Sequence, residues 1–208
     1  MKYYISDLHF FHAKLNHAMD NRGFVDVDEM TEYMIKRWND KVNDHDEVII
    51  IGDFSMSGRL KTAEVLARLK GRKAIIRGNH DGYLDKKDFA HELFEWEADY
   101  KEIVDGDRIV ILCHYPVMFY NGMYHMNREG VSKTYMLYGH VHDTEDEYMM
   151  NQFIRIIRSK ERLWRDGEVR NFPCQMINCF CMFSDYEPLS LDEWIEVDKK
   201  RRALEKYC

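Results

Sequence analysis

Two pairs of metal-binding side chains repeat one spacing in this sequence. Asp7 and His9 form a D-x-H pair near the start of the chain, and His140 and His142 form an H-x-H pair much later. On an extended chain, residues i and i+2 lie on the same face. Each pair could therefore hold one metal ion while the residue between its members turns into the protein. Carboxylate and imidazole ligands without thiolate suit Mn, Fe, Zn, Ni or Co.

Further side chains of the same kinds lie between the two pairs. They are Asp53, Asn79, His80, Asp81 and His114. Glycines at 52, 78 and 139 would let the backbone turn sharply and approach a ligand closely. Asn, Asp and Gly also favour turns, so the stretch IIRGNHDG indicates a turn whether or not it binds a metal.

Each of these groups directly follows a short apolar run that is typical of a β-strand. The runs are KYYIS (2–6), EVIII (47–51), KAIIR (73–77), RIVILC (108–113) and TYMLY (134–138). In open α/β sheets, ligand sites collect outside the carboxyl ends of the strands. We therefore expect these groups to converge, although they are far apart in the sequence.

Other segments complete a layered α/β pattern. Strands are predicted at YKEIV, just before the fourth run, and within 174–183; helices are predicted at about 28–42, 60–70 and 145–165, and from Ser190, which has a capping-box spacing to Glu193. No repeat or linker interrupts the 208 residues. We expect one domain over 1–208, with a helical segment at about 145–170.

The composition narrows the class of protein. The chain is 45% hydrophobic and 32% charged, and no stretch approaches the roughly 20 apolar residues that span a bilayer. Five cysteines without a C-x-x-C motif, and an N-terminus without an apolar signal region, favour a cytoplasmic protein with reduced thiols. A net charge of -7 disfavours broad binding to nucleic acid, although it leaves room for a local basic patch.

The number of candidate ligands is too large for one ion. They are Asp7, His9, Asp53, Asn79, His114, His140 and His142. Two ions that share a bridging carboxylate fit better, and Asp53 is the carboxylate that stands alone at a strand end. Two ions about 3.5 to 4 Å apart stabilise the attacking and leaving oxygens of an in-line displacement at phosphorus, and they lower the pKa of a bridging water. The implied chemistry is phosphate-ester hydrolysis by a metal-bound hydroxide.

The ordered motifs resemble those of the calcineurin-like metallophosphoesterase superfamily. The motif blocks are DLH (7–9), GDF (52–54), GNHD (78–81), CHYP (113–116) and GHVH (139–142). The extended forms SDLHF, IIGDFS and DYEPLSLDE resemble a group of small bacterial and phage phosphoesterases whose substrates are mostly unassigned.

The resemblance implies a four-layer α/β/β/α sandwich and a set of roles. One metal would be held by Asp7, His9, Asp53 and His142, and the other by Asp53, Asn79, His114 and His140. His80 would face the substrate, stabilise charge on the phosphate and protonate the leaving oxygen. Asp81 would orient His80.

Substrate contacts are predicted at four residues outside this set. They are His12, Arg22, Tyr124 and Arg128. Arg22 could bind a phosphate through two parallel hydrogen bonds or lie in a surface turn. The segment 119–133 should border the metals unless it is an ordinary surface loop. The basic stretch 155–165 is either a solvated helix face or a surface that attracts a polyanionic substrate electrostatically.

The leading hypothesis is a dinuclear metallophosphoesterase that acts on a small phosphate mono- or diester. A nuclease acting on DNA or RNA is the second hypothesis, and the negative net charge of the chain disfavours it. A non-catalytic scaffold is the third, and the intact ligand set disfavours it. The sequence leaves the natural substrate, the metal and the oligomeric state open.

Overall fold

Strands and helices alternate along the residues that the computed structural model describes, 1–127, 129–164 and 166–204. The helices are α1 (Val27–Lys41), α2 (Arg59–Arg68), α3 (Glu145–Arg158) and α4 (Leu191–Leu204). The strands are β1 (Lys2–Ile5), β2 (Glu47–Ile51), β3 (Arg72–Ile76), β4 (Phe94–Ala98), β5 (Tyr100–Asp105), β6 (Arg108–Cys113), β7 (Thr134–Tyr138), β8 (Glu161–Leu163), β9 (Val169–Asn171) and β10 (Met176–Asn178).

The first sheet is parallel throughout and has the order β1-β2-β3-β4. Its two central strands, β2 and β3, carry runs of buried Val and Ile, as expected for parallel strands covered on both faces. Val48 and Ile50 pack on one face in a cluster that includes Trp38 of α1 and Leu66 of α2. Burial of this face attaches both helices to the sheet.

The second sheet has the order β10-β7-β6-β5, in which only the β5–β6 pair is antiparallel. Ile49 and Ile76 of the first sheet share a buried cluster with Val110 and Leu137 of the second. On the other face of the second sheet, Met136 joins a further cluster that includes residues of α3. The fold is therefore mixed α/β, with one sheet that is parallel and one that is mixed.

The polar groups of the predicted site lie where the sequence predicts them, after the carboxyl ends of β1, β2, β3, β6 and β7. All five of these strands are confirmed within a residue of their predicted bounds. β4 was not predicted, although FEWEA alternates in character, and its burial alternates too. The strand predicted within 174–183 covers only Met176–Asn178.

The predicted helix over 145–165 is wrong beyond Arg158. The chain leaves the helix at Ser159 and forms the antiparallel hairpin β8–β9. Lys, Glu, Arg and Leu favour helices, but Asp166-Gly167 is a turn signal, and Gly167 has a φ of +84°. The segment 145–170 is thus half helix and half hairpin, and the basic stretch 155–165 crosses the boundary.

Side-chain caps stabilise the starts of α1 and α4. The carboxylate of Asp26 accepts from the backbone N–H of Asp28 and Glu29 at the start of α1. At α4, Ser190 and Glu193 form the predicted capping box. Within the described ranges, no helix has the length and apolar character needed to cross a membrane.

Candidate metal centre

Five of the seven candidate ligand residues occupy a backbone conformation that is rare for residues other than glycine. Asp7, His9, Asp53, His140 and His142 have φ values of 55°, 48°, 53°, 71° and 48°. This left-handed region costs about 1 to 2 kcal/mol per residue, and such strain collects at functional sites. The expectation that each i, i+2 pair lies on an extended chain is therefore wrong. Left-handed turns instead place Asp7 and His9 in one candidate ligand group and separate His140 from His142, so the prediction that each pair holds one metal is wrong for the second pair.

The residues between the paired ligands are buried, as predicted. Leu8 is 0% exposed and Val141 is 6% exposed. Each anchors its pair in the core, and a hydrogen bond from the backbone N–H of His140 to Asp7 Oδ1, at 3.0 Å, joins the two pairs. The two most distant motifs of the sequence are thereby held together.

Two glycines make room for ligand carboxylates. A Cβ at Gly78 would lie 2.2 Å from Asp53 Oδ1, and a Cβ at Gly139 would lie 2.4 Å from Asp7 Oδ2. Neither distance is compatible with a side chain. The backbone at these two glycines therefore approaches the carboxylates of two candidate ligands closely.

Six of the seven predicted ligands fall into two compact groups. The first is Asp7, His9 and His142, and the second is Asp53, His114 and His140. Within each group, the candidate ligand atoms all lie within 4.8 Å of one another. Each group thus has the size of a coordination sphere.

Asp53 lies between the two groups. Its Oδ2 atom is 3.5 Å from His9 Nε2 in the first group and 3.4 Å from His114 Nε2 in its own group. The seventh predicted ligand, Asn79, places Oδ1 3.1 Å from His114 Nε2 and 2.9 Å from His140 Nδ1. All seven side chains are therefore brought together, and Asp53 is positioned to be shared.

The donor atoms fit divalent cations. His9 Nε2 lies 3.2 Å from His142 Nε2, and Asp7 Oδ1 lies 3.6 Å from the same His142 atom. These side chains are almost completely buried, and a buried convergence of nitrogen and oxygen lone pairs needs a proton or a cation to balance it. The mixture of imidazole, carboxylate and amide oxygen suits the transition metals predicted from the sequence.

The electrostatics of the centre favour ligation at two residues and oppose it at a third. Burial lowers the pKa of His9 to about 2, so its ring is neutral and can donate a lone pair. Burial opposes ionisation of Asp53, but the hydrogen bond and charge of His114 lower its pKa to about 2. Burial also opposes protonation of His114, yet the hydrogen bond to Asp53 and the charges of Asp7 and Asp53 raise its pKa to about 9. His114 must therefore lose a proton before it can bind a metal.

A carboxylate that was not predicted from the sequence orients one ligand. His142 Nδ1 donates to Asp20 Oδ1 at 2.7 Å, and the Asp20 side chain is 1% exposed. This bond directs His142 Nε2 towards the first group, as outer carboxylates do in many metal sites. Nothing in the sequence singles out Asp20 except an arginine two residues later.

Arg22 does not agree with its predicted role as a phosphate ligand. Its guanidinium side chain is 0% exposed. It donates to the carbonyl oxygens of Leu8 at 2.6 Å and Asp7 at 2.9 Å, and to Asp20 at 2.9 Å. Arg22 therefore supports the first ligand loop from inside the protein, where a substrate cannot reach it.

Asp81 contacts backbone amides where the resemblance implied a bond to His80. Its Oδ2 accepts from the N–H groups of Gly78 and Asp53, each at 2.8 Å, and its Oδ1 accepts from Phe54 at 2.9 Å. The residue is fully buried, and burial raises its pKa. Among the described residues, no hydrogen bond joins it to the His80 ring. Asp81 connects the loops after β2 and β3 instead.

His80 and His12 border a cavity of about 260 Å³ above the two groups. The remaining lining residues are His9, Leu15, Met19, Asp53, Asn79, His140, Val141, His142, Thr144 and Asp146. The His80 ring is centred 5.2 Å from the His9 ring and 6.5 Å from the His12 ring. The backbone N–H of His80 donates to Asp53 Oδ1 at 2.8 Å. Both histidines border the cavity, and neither belongs to a candidate ligand group.

Tyr124 lies elsewhere. It lines a separate cleft, which shares no described lining residue with the cavity above the ligands. The described part of 119–133 packs on the second sheet through buried Tyr120 and Met123. The prediction that this segment borders the candidate ligands is therefore wrong. Arg128 lies outside the described residues. Tyr115, which was not predicted, packs edge-on against His140 with ring centroids 4.6 Å apart.

Comparison with known proteins identifies the family of this chain. The family model for calcineurin-like phosphoesterases matches residues 3–196. The uncharacterized protein MJ1445 of Methanocaldococcus jannaschii is 31% identical over 97% of this chain and 93% of its own length. The Gene 66 protein of Mycobacterium phage L5 is 35% identical over 44% of each chain.

A solved structure shows a similar fold. The protein of unknown function AQ665 from Aquifex aeolicus aligns with a TM-score of 0.58 at 23% identity, over 96% of this chain and 98% of that one. At this identity the likeness concerns the fold alone. The extent of the family match, together with the archaeal relative, shows that this chain belongs to the calcineurin-like phosphoesterase family.

Proposed function

We propose that this protein is a metal-dependent phosphoesterase that hydrolyses small phosphate mono- or diesters at a dinuclear centre. The position of Asp53 Oδ2, 3.5 Å from His9 Nε2 and 3.4 Å from His114 Nε2, carries the proposal. A carboxylate oxygen at nearly equal distance from both histidines suits a bridging ligand. Two divalent ions held there would polarise a phosphoryl oxygen and lower the pKa of a bound water.

The chain divides the ligands between the two ions. Asp7, His9 and His142 would hold one ion, Asn79, His114 and His140 would hold the other, and Asp53 would be shared. Asp53 is held firmly, because its backbone N–H donates to Asp81 and its Oδ1 accepts from the His80 N–H. Asp53 would therefore be a rigidly placed ligand for both ions.

His80 is proposed to donate a proton to the leaving oxygen. Its side chain is exposed on the cavity and belongs to neither ligand group. Its backbone is tied to Asp53, so the ring keeps a constant position relative to the shared ligand. A positioned imidazole is the commonest acid catalyst in proteins.

The cavity favours a compact substrate. Its volume is about 260 Å³, and Leu15, Met19 and Val141 give one part of the wall an apolar character. His12 has a buried Nδ1 atom that lacks a hydrogen-bond partner within the described chain. We propose that His12 contacts the phosphate or its substituent.

We also propose a sandwich architecture and a cytoplasmic location for this protein. The cluster shared by the two sheets, with helices packed on their outer faces, supports a four-layer α/β/β/α sandwich. The described cysteines are free thiols: Cys113, Cys174, Cys179 and Cys181. Reduced thiols support a cytoplasmic location.

The direct test is a substrate panel. The protein is stripped with a chelator, reloaded with Mn, Fe, Zn, Ni or Co, and given phosphomonoesters, phosphodiesters, cyclic nucleotides, DNA and RNA. We expect turnover of at least one small ester, and Asp53→Asn should abolish it and reduce the bound metal. Metal binding without turnover of any ester would support the scaffold hypothesis, and cleavage of DNA or RNA alone would support the nuclease.

A further inference from the structure

A second cleft, remote from the metal centre, combines aromatic rings with arginines. It has a volume of about 590 Å³ and lies between the loop around Tyr124 and the hairpin β8–β9. Its lining residues are Tyr124, His125, Met126, Asn127, Arg162, Leu163, Trp164, Asp166 and Arg170. This volume falls within the range of small-molecule sites.

The cleft is separated from the metal centre by the length of α3. Thr144 and Asp146, at the start of the helix, line the metal cavity, whereas the hairpin follows its last residue, Arg158. The helix has 14 residues, which corresponds to about 21 Å at 1.5 Å per residue. A ligand in the cleft would therefore not touch the metal ligands.

The aromatic rings form a connected group. The Phe172 ring is centred 5.2 Å from the Tyr124 ring and 6.3 Å from the Trp164 ring. The indole N–H of Trp164 donates to the Arg170 carbonyl at 3.3 Å, which fixes its ring on the hairpin. Tyr124 is exposed on the cleft. Fixed, accessible rings of this kind offer stacking surfaces for a planar ligand.

One arginine of the cleft has no anionic partner in the part of the chain that the structure describes. Arg170 is paired with Asp166 at 2.8 Å. Arg162 instead lies over the aromatic rings, with Cζ 5.6 Å from the Trp164 centroid and 5.9 Å from the Phe172 centroid. The rings hold the guanidinium in place by cation–π attraction. Its N–H groups stay available for an anion that approaches from the cleft.

We propose that this cleft binds a nucleotide unit, with the base stacked on Tyr124 or Trp164 and the phosphate held by Arg162. A nucleotide carries a planar base, which suits the aromatic rings, and an anionic phosphate, which suits the guanidinium of Arg162. The volume fits one such unit. The unit could belong to a free mononucleotide or to a single-stranded nucleic acid, because both present the same chemistry. The inference is independent of catalysis at the metal centre.

The test uses the full chain with excess chelator, so that no metal can hold the phosphate. AMP and the single strand d(A)6 are titrated while the indole N–H signals are followed by NMR, and Trp164→Phe identifies the Trp164 signal. We expect the Trp164 signal to shift while those of buried Trp38 and Trp194 stay constant. A d(A)6 affinity more than tenfold above that of AMP would identify a strand as the ligand, and similar affinities would identify a free nucleotide.

The matched variants are Arg162→Gln in the cleft and Arg72→Gln on the first sheet, where the side chain is 53% exposed. Arg162→Gln should weaken AMP binding at least tenfold without changing the unfolding midpoint, and Arg72→Gln should leave binding unchanged. The proposal is overturned if AMP and d(A)6 both fail to bind at millimolar concentration. It is also overturned if inorganic phosphate binds as tightly as AMP, or if both variants behave like the wild type.

Discussion

Asp20 and His142, which are 122 residues apart in the chain, form a 2.7 Å hydrogen bond inside the protein. The bond makes His142 Nδ1 the donor and leaves Nε2 directed towards Asp7 and His9. Arg22 completes the arrangement, because its guanidinium pairs with Asp20 and also supports the backbone of the Asp7 loop. The position of one candidate ligand and the shape of another candidate's loop thus depend on two residues outside the candidate ligand set.

Asp20→Asn should weaken metal binding by about 10- to 100-fold, because a neutral amide oxygen accepts from His142 Nδ1 more weakly than a carboxylate does. Binding is measured by titration calorimetry on the chelator-stripped protein. Asp88→Asn is the control, because Asp88 is 65% exposed and pairs only with Arg59 among the described contacts. Equal affinity in the Asp20 variant and the wild type would contradict the role given to Asp20.

Replacement of Arg22 should lower the stability of the fold and should not act through substrate binding. Arg22→Met leaves the buried Asp20 carboxylate without its cation, which should cost about 3 kcal/mol in the free energy of unfolding. Arg22→Lys keeps the charge but cannot reach Asp20 and both carbonyls, so its loss should be smaller. Denaturant unfolding measures both. A lysine variant of normal stability with a raised KM would restore the phosphate-binding hypothesis.

Asp81→Asn should lower both stability and metal affinity. Three backbone N–H groups point at the carboxylate, and an amide has only one oxygen to accept them, which should cost about 3 kcal/mol. His80→Ala should behave differently: it should retain metal and lose most of its turnover. If Asp81 acted by orienting His80, then Asp81→Asn would lower kcat while leaving stability and metal content unchanged.

Gly78→Ala should abolish metal binding at the shared position, because its Cβ would lie 2.2 Å from Asp53 Oδ1. Gly82→Ala, four residues later, is a matched control, since no atom lies within 4 Å of its added Cβ. Metal content after dialysis distinguishes the two variants. Normal metal content in Gly78→Ala would mean that Asp53 can move without losing its function.

Metal affinity should rise with pH between about 7 and 9. The pKa of His114 in the metal-free protein is raised to about 9, so the ring carries a proton at pH 7 that a metal must displace. The apparent affinity of this group should then increase about tenfold per pH unit and level off above pH 9. The same proton stabilises the metal-free fold below the unfolded pKa of histidine, and that contribution is lost as the pH rises through 9.

Calorimetry in buffers of different ionisation enthalpy counts the protons released on metal binding. We expect about one proton from His114 at pH 7.5, and none from this position in His114→Gln. The same release in both proteins would assign the proton to another group.

The sequence alone was enough to predict the candidate ligands and their convergence. Asp7, Asp53 and His114 each follow a buried strand, and strand pattern and chain order are local properties that the sequence displays directly. Parallel strands then bring their carboxyl ends to one edge for geometric reasons. The glycines beside the ligands were also visible, because a close backbone approach requires a residue without a side chain.

The tertiary structure decided which polar residues face the cavity and which face the protein. Arg22, Asp20 and Asp81 have the chemistry of active-site residues, but their burial and partners arise from contacts across the whole fold, which local patterns do not encode. The same is true of the chain after Arg158, where helix-favouring residues form a hairpin because their Asp-Gly turn and their packing partners outweigh intrinsic propensity. Side-chain direction at a site is a property of the assembled loops.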